Sequence, residues 1–291
     1  NEVYLYGNPG EGDAKTQPTS GLTKPFPMPK PVRKYDALEM QLSRRFSNDF
    51  FASISYVYSR LYGNYAGLAN SDEITLPTTN VGSGTAQQLG GSVSRQGGNA
   101  NRSWDLDEIL FDSHGNVDIK GRLNTDRPHV FKIYGAKQFS FGTNVGLFFY
   151  GGSGTPVSTL VNTRNQIPVF VNGRGDLGRT PFLTQTDLNV FHDVKLGENK
   201  TLRFEMNMQN LFNQKTSRAI FNYVNRGAGT AVPSSAINLS GVDLFQGYDY
   251  MALINATPDA SAARGALDPR FGREDLFNPG FAGRFGIKFI F

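Results

Sequence analysis

The chain has 291 residues, of which 38% are hydrophobic, and it contains no run of about 20 uninterrupted apolar residues, so a membrane-spanning helix is excluded. Its 29 basic and 25 acidic residues are dispersed and give a net charge of +4, and we therefore expect no nucleic-acid partner. Cysteine is absent, which excludes disulfides, thiolate metal sites and cysteine nucleophiles. These totals leave a membrane β-barrel open, because only every second residue of its strands meets lipid.

Alternation of apolar and polar side chains, the pattern of a strand with two different faces, recurs along the chain. The predicted strands, in chain order, lie near residues 3–6, 35–46, 50–62, 129–139, 143–151, 184–196, 200–212 and 280–291. Most of these ranges span about 9 to 13 residues, which is enough to cross a membrane when a strand is tilted. Strands of soluble proteins are typically about 5 or 6 residues long.

The range 200–212 shows the alternation most clearly, with Leu202, Phe204 and Met206 in one row. Because a Lys or Arg at the bilayer midplane costs roughly 2 to 4 kcal/mol, such an uncharged row suits lipid, and the polar row suits a watery lumen. The residues that we expect to face the lumen are Glu39, Gln41, Arg203, Glu205, Asn207 and Gln209.

The connections between the predicted strands alternate between short and long. Tight turns with favourable residue types are predicted at 47–49, 140–142 and 197–199. The long connections, rich in Gly, Pro, Asn and Ser and expected to be mostly structureless, span 7–34, 63–128, 152–183 and 214–279. A compact soluble domain rarely tolerates four such loops, whereas an outer-membrane barrel has short periplasmic turns and long extracellular loops.

The fold class that these patterns predict is all-β: a transmembrane antiparallel β-barrel with about eight strands in this chain. Its expected location is the bacterial outer membrane, with lipid as a partner. A soluble barrel with its apolar row turned inward is the alternative. Aromatic residues that suit interfacial girdles stand near the strand ends, at Tyr35, Phe46, Phe50, Phe139, Phe212 and Phe281.

The segment 284–291 reads Arg-Phe-Gly-Ile-Lys-Phe-Ile-Phe. It resembles the terminal signal of outer-membrane barrel proteins, in which a polar residue, a glycine and two aromatics spaced by one residue end on Phe. The resemblance implies recognition by the barrel-assembly machinery through Arg284, Gly286, Phe289 and Phe291. An amphipathic strand without a signal is the alternative.

Further motifs follow one another in a characteristic order and spacing: YDALE at 35–39, RRFS at 44–47, SYVYS at 55–59, DRPH at 126–129, Gly-Thr-Pro at 154–156 and NLFN at 210–213. Together they resemble the C-terminal barrel region of Oar-like TonB-dependent receptors. That resemblance implies a barrel of about 22 strands, filled by an N-terminal plug and energised by the TonB complex. Since neither plug nor TonB box is recognised, we expect the chain to be the C-terminal third of such a barrel.

The expected function is therefore that of an outer-membrane receptor and transporter segment, whose wall and loops serve the uptake of an unknown extracellular ligand. A structural or adhesive barrel without active transport is one alternative, and an autonomous eight-stranded barrel is the other.

The histidines and the loop carboxylates are expected to have structural rather than catalytic or metal-binding roles. His114, His129 and His192 belong to no Ser-His-Asp set and no zinc-ligand spacing, so neither an enzyme nor a cofactor is expected. Loop carboxylates could hold Ca²⁺, but they lack EF-hand spacing and a solvated loop is favoured: Asp105, Asp107, Glu108, Asp112 and Asp118. Four loop aromatics either contact a partner or pack the loop against itself: Tyr223, Phe245, Tyr248 and Tyr250.

Overall fold

The structure, a computed structural model, describes residues 12–13, 27–28, 32–64, 112–116, 118–162, 168–197, 199–225, 237–239, 241–256 and 267–291. The elements within these residues are β1 (Gly12–Asp13), β2 (Pro27–Met28), β3 (Arg33–Ser47), β4 (Phe50–Gly63), β5 (Gly121–Arg122), β6 (His129–Gln138), β7 (Thr143–Gly152), β8 (Leu160–Asn162), β9 (Pro168–Phe170), β10 (Leu183–Lys195), β11 (Thr201–Gln209), β12 (Ser217–Ile220), α1 (Tyr250–Ala256), β13 (Glu274–Phe277) and β14 (Ala282–Ile290). No helix among them combines the length and the apolar character that a membrane span requires. The strand predicted near 3–6 lies outside the described residues.

Eight of the described strands form one sheet in the order β14-β11-β10-β7-β6-β4-β3, with the short β5 paired to β4. All neighbours in it are antiparallel. The pairs β3–β4, β6–β7 and β10–β11 are hairpins that reverse where the sequence predicts tight turns. In the first of these turns Asn48 and Asp49 have φ of 52° and 59°, a left-handed conformation that Asn and Asp tolerate better than most residues.

The register places the apolar rows of successive strands on one side of this sheet. Met206 lies opposite Val190 on β10 and opposite Phe285 on β14. Because residues directly opposite each other share a face, the rows join from β3 to β14 into one surface, called here the apolar face. It includes Leu38, Met40, Leu42, Ile54, Tyr56, Tyr58, Phe131, Ile133, Val145, Leu147, Phe149, Leu188, Val190, Val194, Leu202, Phe204, Met206, Met208, Phe285, Ile287 and Phe289.

The apolar face does not form the buried core of the described chain. Leu42 is 74% exposed, Phe285 78% and Ile287 70%. Apart from Leu61 near the end of β4, the buried hydrophobic residues lie in the long connections. A contiguous exposed apolar surface of this kind marks contact with a membrane or another protein.

The core lies instead in a unit called here the loop cap, which comprises the described residues of the connections between β4 and β6, β7 and β10, and β11 and β14. One cluster of buried side chains consists of Val161, Val169, Val171, Val224, Ile237 and Ile254, and a second of Leu160, Phe170, Phe221 and Tyr223. Backbone hydrogen bonds join the three connections: Leu160 N donates to Asn222 O at 2.9 Å, Ser113 N to Val171 O at 3.0 Å, and Tyr248 N to Ser113 O at 2.8 Å.

The prediction that the long connections are mostly structureless is wrong for their described parts. Their apolar residues occur in short runs such as Val157–Val161 (VSTLV), which show no strand or helix period over a long window. These runs are buried by contacts between connections that lie far apart in the sequence, and hydrophobic periodicity does not report such contacts.

Strand β11 ends at Gln209, before the predicted end at 212. Asn210 and Asn213 both have φ of 50°, which breaks the extended conformation. The Oδ1 atom of Asn210 accepts from Gln214 N at 2.7 Å, and its Nδ2 donates to Pro279 O at 2.7 Å. The NLFN motif therefore forms a turn that anchors β11 to the segment before β14.

Within the described residues, the edge strands β3 and β14 do not pair with each other, and the sheet is open. The expected β-barrel is thus observed as an all-β antiparallel wall, without closure.

Candidate lumen-facing site

The side of the sheet opposite to the apolar face carries the polar rows and is called here the polar face. On β10 and β11, Arg203 donates from Nε and Nη2 to the two carboxylate oxygens of Asp193, at 2.6 and 2.8 Å. On β11 and β14, Lys288 Nζ donates to Glu205 Oε2 at 2.8 Å. Directly opposed or adjacent positions therefore neutralise each other's charge within this face.

A groove of about 680 Å³ lies on the polar face. One of its walls is aromatic: the rings of Phe51 and Tyr134 meet edge to face with centroids 6.3 Å apart, and Phe148 lies opposite Tyr134 in the register. Between the walls, Ala136 pairs with Gly146, and a methyl group opposite a residue without a side chain leaves the space open. Because the hollow is on this side, the sheet is concave toward its polar face.

The opposite wall of the groove is polar. Asn189 donates from its amide to Oδ1 of Asn207, and Arg284 lies opposite Asn207 on β14. Asp187 also lines the groove and accepts from Asn210 N at 2.8 Å. Aromatic ring faces on one side and amide, guanidinium and carboxylate groups on the other can bind and orient a polar ligand.

The residues predicted to face a lumen fall into two groups. Arg203, Glu205, Asn207 and Gln209 stand together in the polar row of β11. Glu39 and Gln41 lie at the other edge of the sheet on β3, where Gln41 Nε2 donates to Ser53 Oγ at 3.2 Å and Glu39 is exposed opposite Val57. All six belong to the polar face by register.

The predicted assembly signal divides between the two faces. Arg284 and Gly286 belong to the polar face, whereas Phe289 lies opposite Leu202 on the apolar face. Phe291 is 92% exposed, with its ring centroid 5.9 Å from that of Phe289. A Cβ at Gly286 would lie 3.0 Å from Cγ of Glu205, so this glycine leaves room for the Glu205 side chain to reach Lys288. Recognition by the assembly machinery stays a prediction.

Asp126, in the DRPH motif, joins the sheet to the loop cap. Its carboxylate is 1% exposed and accepts from Leu61 N at 2.6 Å, from Arg122 Nη1 at 3.3 Å and from Arg179 Nη2. Arg179 Nη1 also donates to the backbone oxygens of Asp126 and Gly154, both at 2.9 Å. A Cβ at Gly154 would lie 1.6 Å from Thr180 O, so this position of the Gly-Thr-Pro motif requires glycine.

The structure does not bring the three histidines together. His129 Nδ1 is 2.8 Å from Tyr56 Oη, and His192 Nδ1 is 2.8 Å from Thr143 Oγ1, at opposite ends of the apolar face. His114 is exposed on the loop cap, with its Nδ1 3.9 Å from an oxygen of Asp112.

The described loop carboxylates and aromatics have structural contacts. Asp112 accepts from the backbone N of His114 and of Asn116, which forms a turn. Tyr248 and Tyr250 pack against the first core cluster, and burial together with the charge of Asp112 raises the pKa of the Tyr248 phenol. Among the described residues no three potential metal ligands gather, and Asp105, Asp107 and Glu108 lie outside those residues.

Sequence reasoning did not single out the partners of the predicted residues or the aromatic wall: Asp193, Asn189, Lys288, Phe51, Tyr134 and Phe148. The polar row of β10 was visible as alternation at Asp187, Asn189 and Asp193. Choosing among them needed the register between strands, which the sequence of one strand does not contain.

No protein-family profile matches the chain, and no solved structure matches it. The chain is similar to the TonB-dependent transporter Oar of Myxococcus xanthus, with 31% identity over 217 residues that make up 72% of this chain. It spans 17% of the length of that relative. The chain is therefore an Oar-like TonB-dependent receptor region.

Proposed function

We propose that the chain forms part of the barrel wall and the extracellular loops of a bacterial outer-membrane TonB-dependent transporter and contributes there to ligand uptake. The apolar face contacts lipid, the polar face lines the lumen, and the loop cap stands on the extracellular side. Similarity to a protein described as a TonB-dependent transporter supports this assignment at the level of the family.

The exposed apolar face is the observation that carries the proposal. On β3 its uncharged part is bounded by Asp36 and Arg44, which are eight residues apart in sequence. At roughly 3.3 Å per residue this separation is about 26 Å along the strand. Outer-membrane barrels present an apolar band of about 25 Å. The same face carries no charged side chain from Leu202 to Met208 on β11.

The polar face supports an aqueous lumen. Its paired charges, such as Arg203 with Asp193, are partly exposed and retain solvation there. The groove beside them offers polar and aromatic groups to a passing ligand. On the convex side the same groups would meet hydrocarbon, where a charge costs several kcal/mol.

The proposal also includes further strands, a plug and an assembly machinery, none of which is among the described residues. In lipid, the unpaired backbone groups at the outer edges of β3 and β14 require partner strands, so further strands complete the wall. This favours a larger barrel over an autonomous eight-stranded one. An N-terminal plug would couple the barrel to TonB, and the assembly machinery would recognise Arg284, Gly286, Phe289 and Phe291.

Membrane residence is tested by fractionating cells that express the full-length protein, followed by gel electrophoresis with and without heating. We expect it in the outer-membrane fraction, with a heat-dependent change in mobility. Recovery in the soluble fraction without detergent would contradict the proposal.

Transport is tested by following the composition of the culture medium by mass spectrometry. Cells that express the receptor are compared with deletion cells, each with and without a proton ionophore. We expect depletion of at least one compound that requires both the receptor and the proton gradient. If membrane residence holds but no such depletion occurs, the structural or adhesive alternative replaces active transport.

A further inference from the structure

We propose that Lys34 and Arg60 bind the phosphate groups of a lipid headgroup at the loop-cap edge of the apolar face. The proposal rests on the proposed function, because it requires the apolar face to contact a membrane. It assigns to this face a specific site for one class of lipid.

The register places both cations on the apolar face. Lys34 lies opposite Tyr62, and Arg60 lies opposite Asp36, in the same rows as Tyr58 and Leu38. Lys34 and Arg60 are exposed and occupy diagonal positions, which are separated by about 7 to 8 Å. One phosphate group between the two side chains can contact both.

Within the described residues these two cations have no acidic partner, unlike two basic residues of the nearby loop cap. Lys120 pairs with Asp118, and Arg122 pairs with Asp126. Among the described residues no carboxylate lies within 4.0 Å of the Lys34 or Arg60 nitrogens. Although Asp36 is opposite Arg60, the guanidinium lies over the Tyr62 ring, 4.6 Å from its centroid.

The basic residues at the turn end of the same face form hydrogen bonds with backbone carbonyls of the nearby turn. Lys137 Nζ donates to Asn48 O at 2.9 Å, and Arg44 Nη2 lies 3.4 Å from Ser47 O. Each of these two cations is thus drawn toward a backbone carbonyl of the neighbouring turn. At the loop-cap edge, in contrast, neither Lys34 nor Arg60 has a side-chain hydrogen bond or an ion pair within the described part of the chain.

Aromatic side chains place Lys34 and Arg60 at the level of the headgroups. Tyr56 Oη is 2.8 Å from His129 Nδ1, and the Tyr58 ring lies 5.4 Å from the His129 ring. Amphipathic rings of this kind collect at the boundary between acyl chains and headgroups. Lys and Arg just beyond them can extend into the headgroup region, where a guanidinium and an ammonium bind phosphate oxygens strongly.

The test uses full-length protein purified in detergent and two probes with the same acyl chains, bisphosphorylated lipid A and its dephosphorylated form. The variant Lys34→Gln with Arg60→Gln is compared with Arg33→Gln with Lys132→Gln, which removes the same charge from the polar face. We expect the parent to prefer the phosphorylated lipid. We expect roughly 25-fold weaker binding of it in the first variant, because each cation near an anionic lipid contributes about fivefold. The control should remain within about twofold of the parent.

Equal affinity of the parent for both lipids, or equal losses in the two double variants, overturns the proposal. Complete competition by inorganic phosphate also overturns it, because the site would then bind the free ion. These outcomes are scored only with protein recovered from the outer membrane. Protein absent from that membrane contradicts the proposed function instead, so the two failures are distinguishable.

Discussion

Neighbouring residues on β11 meet different surroundings, and single side chains there test the assignment of the two faces. Met206 lies between Val190 and Phe285 on the apolar face. Glu205, next to it in sequence, is turned to the polar face and accepts from Lys288. The same substitution at these two positions therefore enters two environments.

We predict that Met206→Arg prevents assembly of the barrel, whereas Glu205→Arg is far better tolerated. A guanidinium at the bilayer midplane costs roughly 2 to 4 kcal/mol. On the polar face, loss of one partly exposed ion pair costs about 1 kcal/mol or less. Heat-modifiable gel mobility of both variants in outer membranes measures the difference. Equal loss of the folded band would contradict the assignment of the faces.

Asp126 presents the opposite case, a charge that is fully buried and therefore depends on its partners. Three donors, from Leu61, Arg122 and Arg179, surround a carboxylate that is almost inaccessible. Asp118 provides a comparison carboxylate that is partly exposed, pairs with Lys120 at 2.6 Å and accepts from Asn64 Nδ2 at 2.5 Å. The two aspartates separate the effect of burial from that of charge.

We predict that Asp126→Asn weakens the junction between sheet and loop cap by about 3 kcal/mol, because the amide loses one acceptor oxygen and places an N–H donor against the donors that the buried carboxylate accepts from. Asp118→Asn should cost less than about 1 kcal/mol. Limited proteolysis of the folded protein in detergent reports opening of the loop cap. The first change should accelerate cleavage on the order of 100-fold or more. Similar cleavage rates in the two variants would show that Asp126 does not hold the junction.

The NLFN turn is an element whose backbone and side-chain contributions can be separated. Asn210 is 3% exposed, has a left-handed backbone and bonds through its amide to Gln214 and Pro279. We predict that Asn210→Gly loses the side-chain hydrogen bonds alone, and that Asn210→Ala loses them and adds backbone strain of about 1 kcal/mol. Unfolding midpoints in detergent should fall in the order parent, Gly, Ala. The same midpoint for both variants would remove backbone strain as a cause.

The elements of the wall are predictable from sequence because each strand contains its own evidence of two faces. In β11, Leu202 to Met208 alternates without exception, and the turns at Asn48 and Gly142 use residues that tolerate left-handed φ. The contacts of the loop cap are not local in this sense. Asp126 bonds to residues 65 and 53 positions away, and Val171 meets Ser113 across 58 positions. Nothing in the residues around Asp126 reveals those partners.

At the scale of the whole molecule, the described part of the chain combines a wall that has no buried hydrophobic cluster and a loop cap that has two. The wall has exposed apolar residues on its convex side and a groove on its concave side. The loop cap buries its own hydrophobic residues and is fastened to the wall through Asp126. Such a division suits a barrel in which lipid covers the apolar face of the wall, while the loops are ordered by contacts with one another.

These 291 residues contain no cysteine, so single cysteines for spin labels can be introduced into the wall without a native thiol beside them, and any cysteine elsewhere in the full-length protein is replaced by serine. We predict that labels at positions 202, 204, 206 and 208, and at 285, 287 and 289, collide preferentially with oxygen, which concentrates in lipid. Labels at 203, 205 and 207, and at 284, 286 and 288, should collide preferentially with a water-soluble nickel complex, because these positions lie on the polar face. The measurement is made on the full-length protein in lipid bilayers by power-saturation EPR. An alternating profile of period two on both β11 and β14, with the apolar positions in phase across the pair, is the expected result. Oxygen preference at every position, or water access at the apolar ones, would show that the wall does not separate lipid from a lumen.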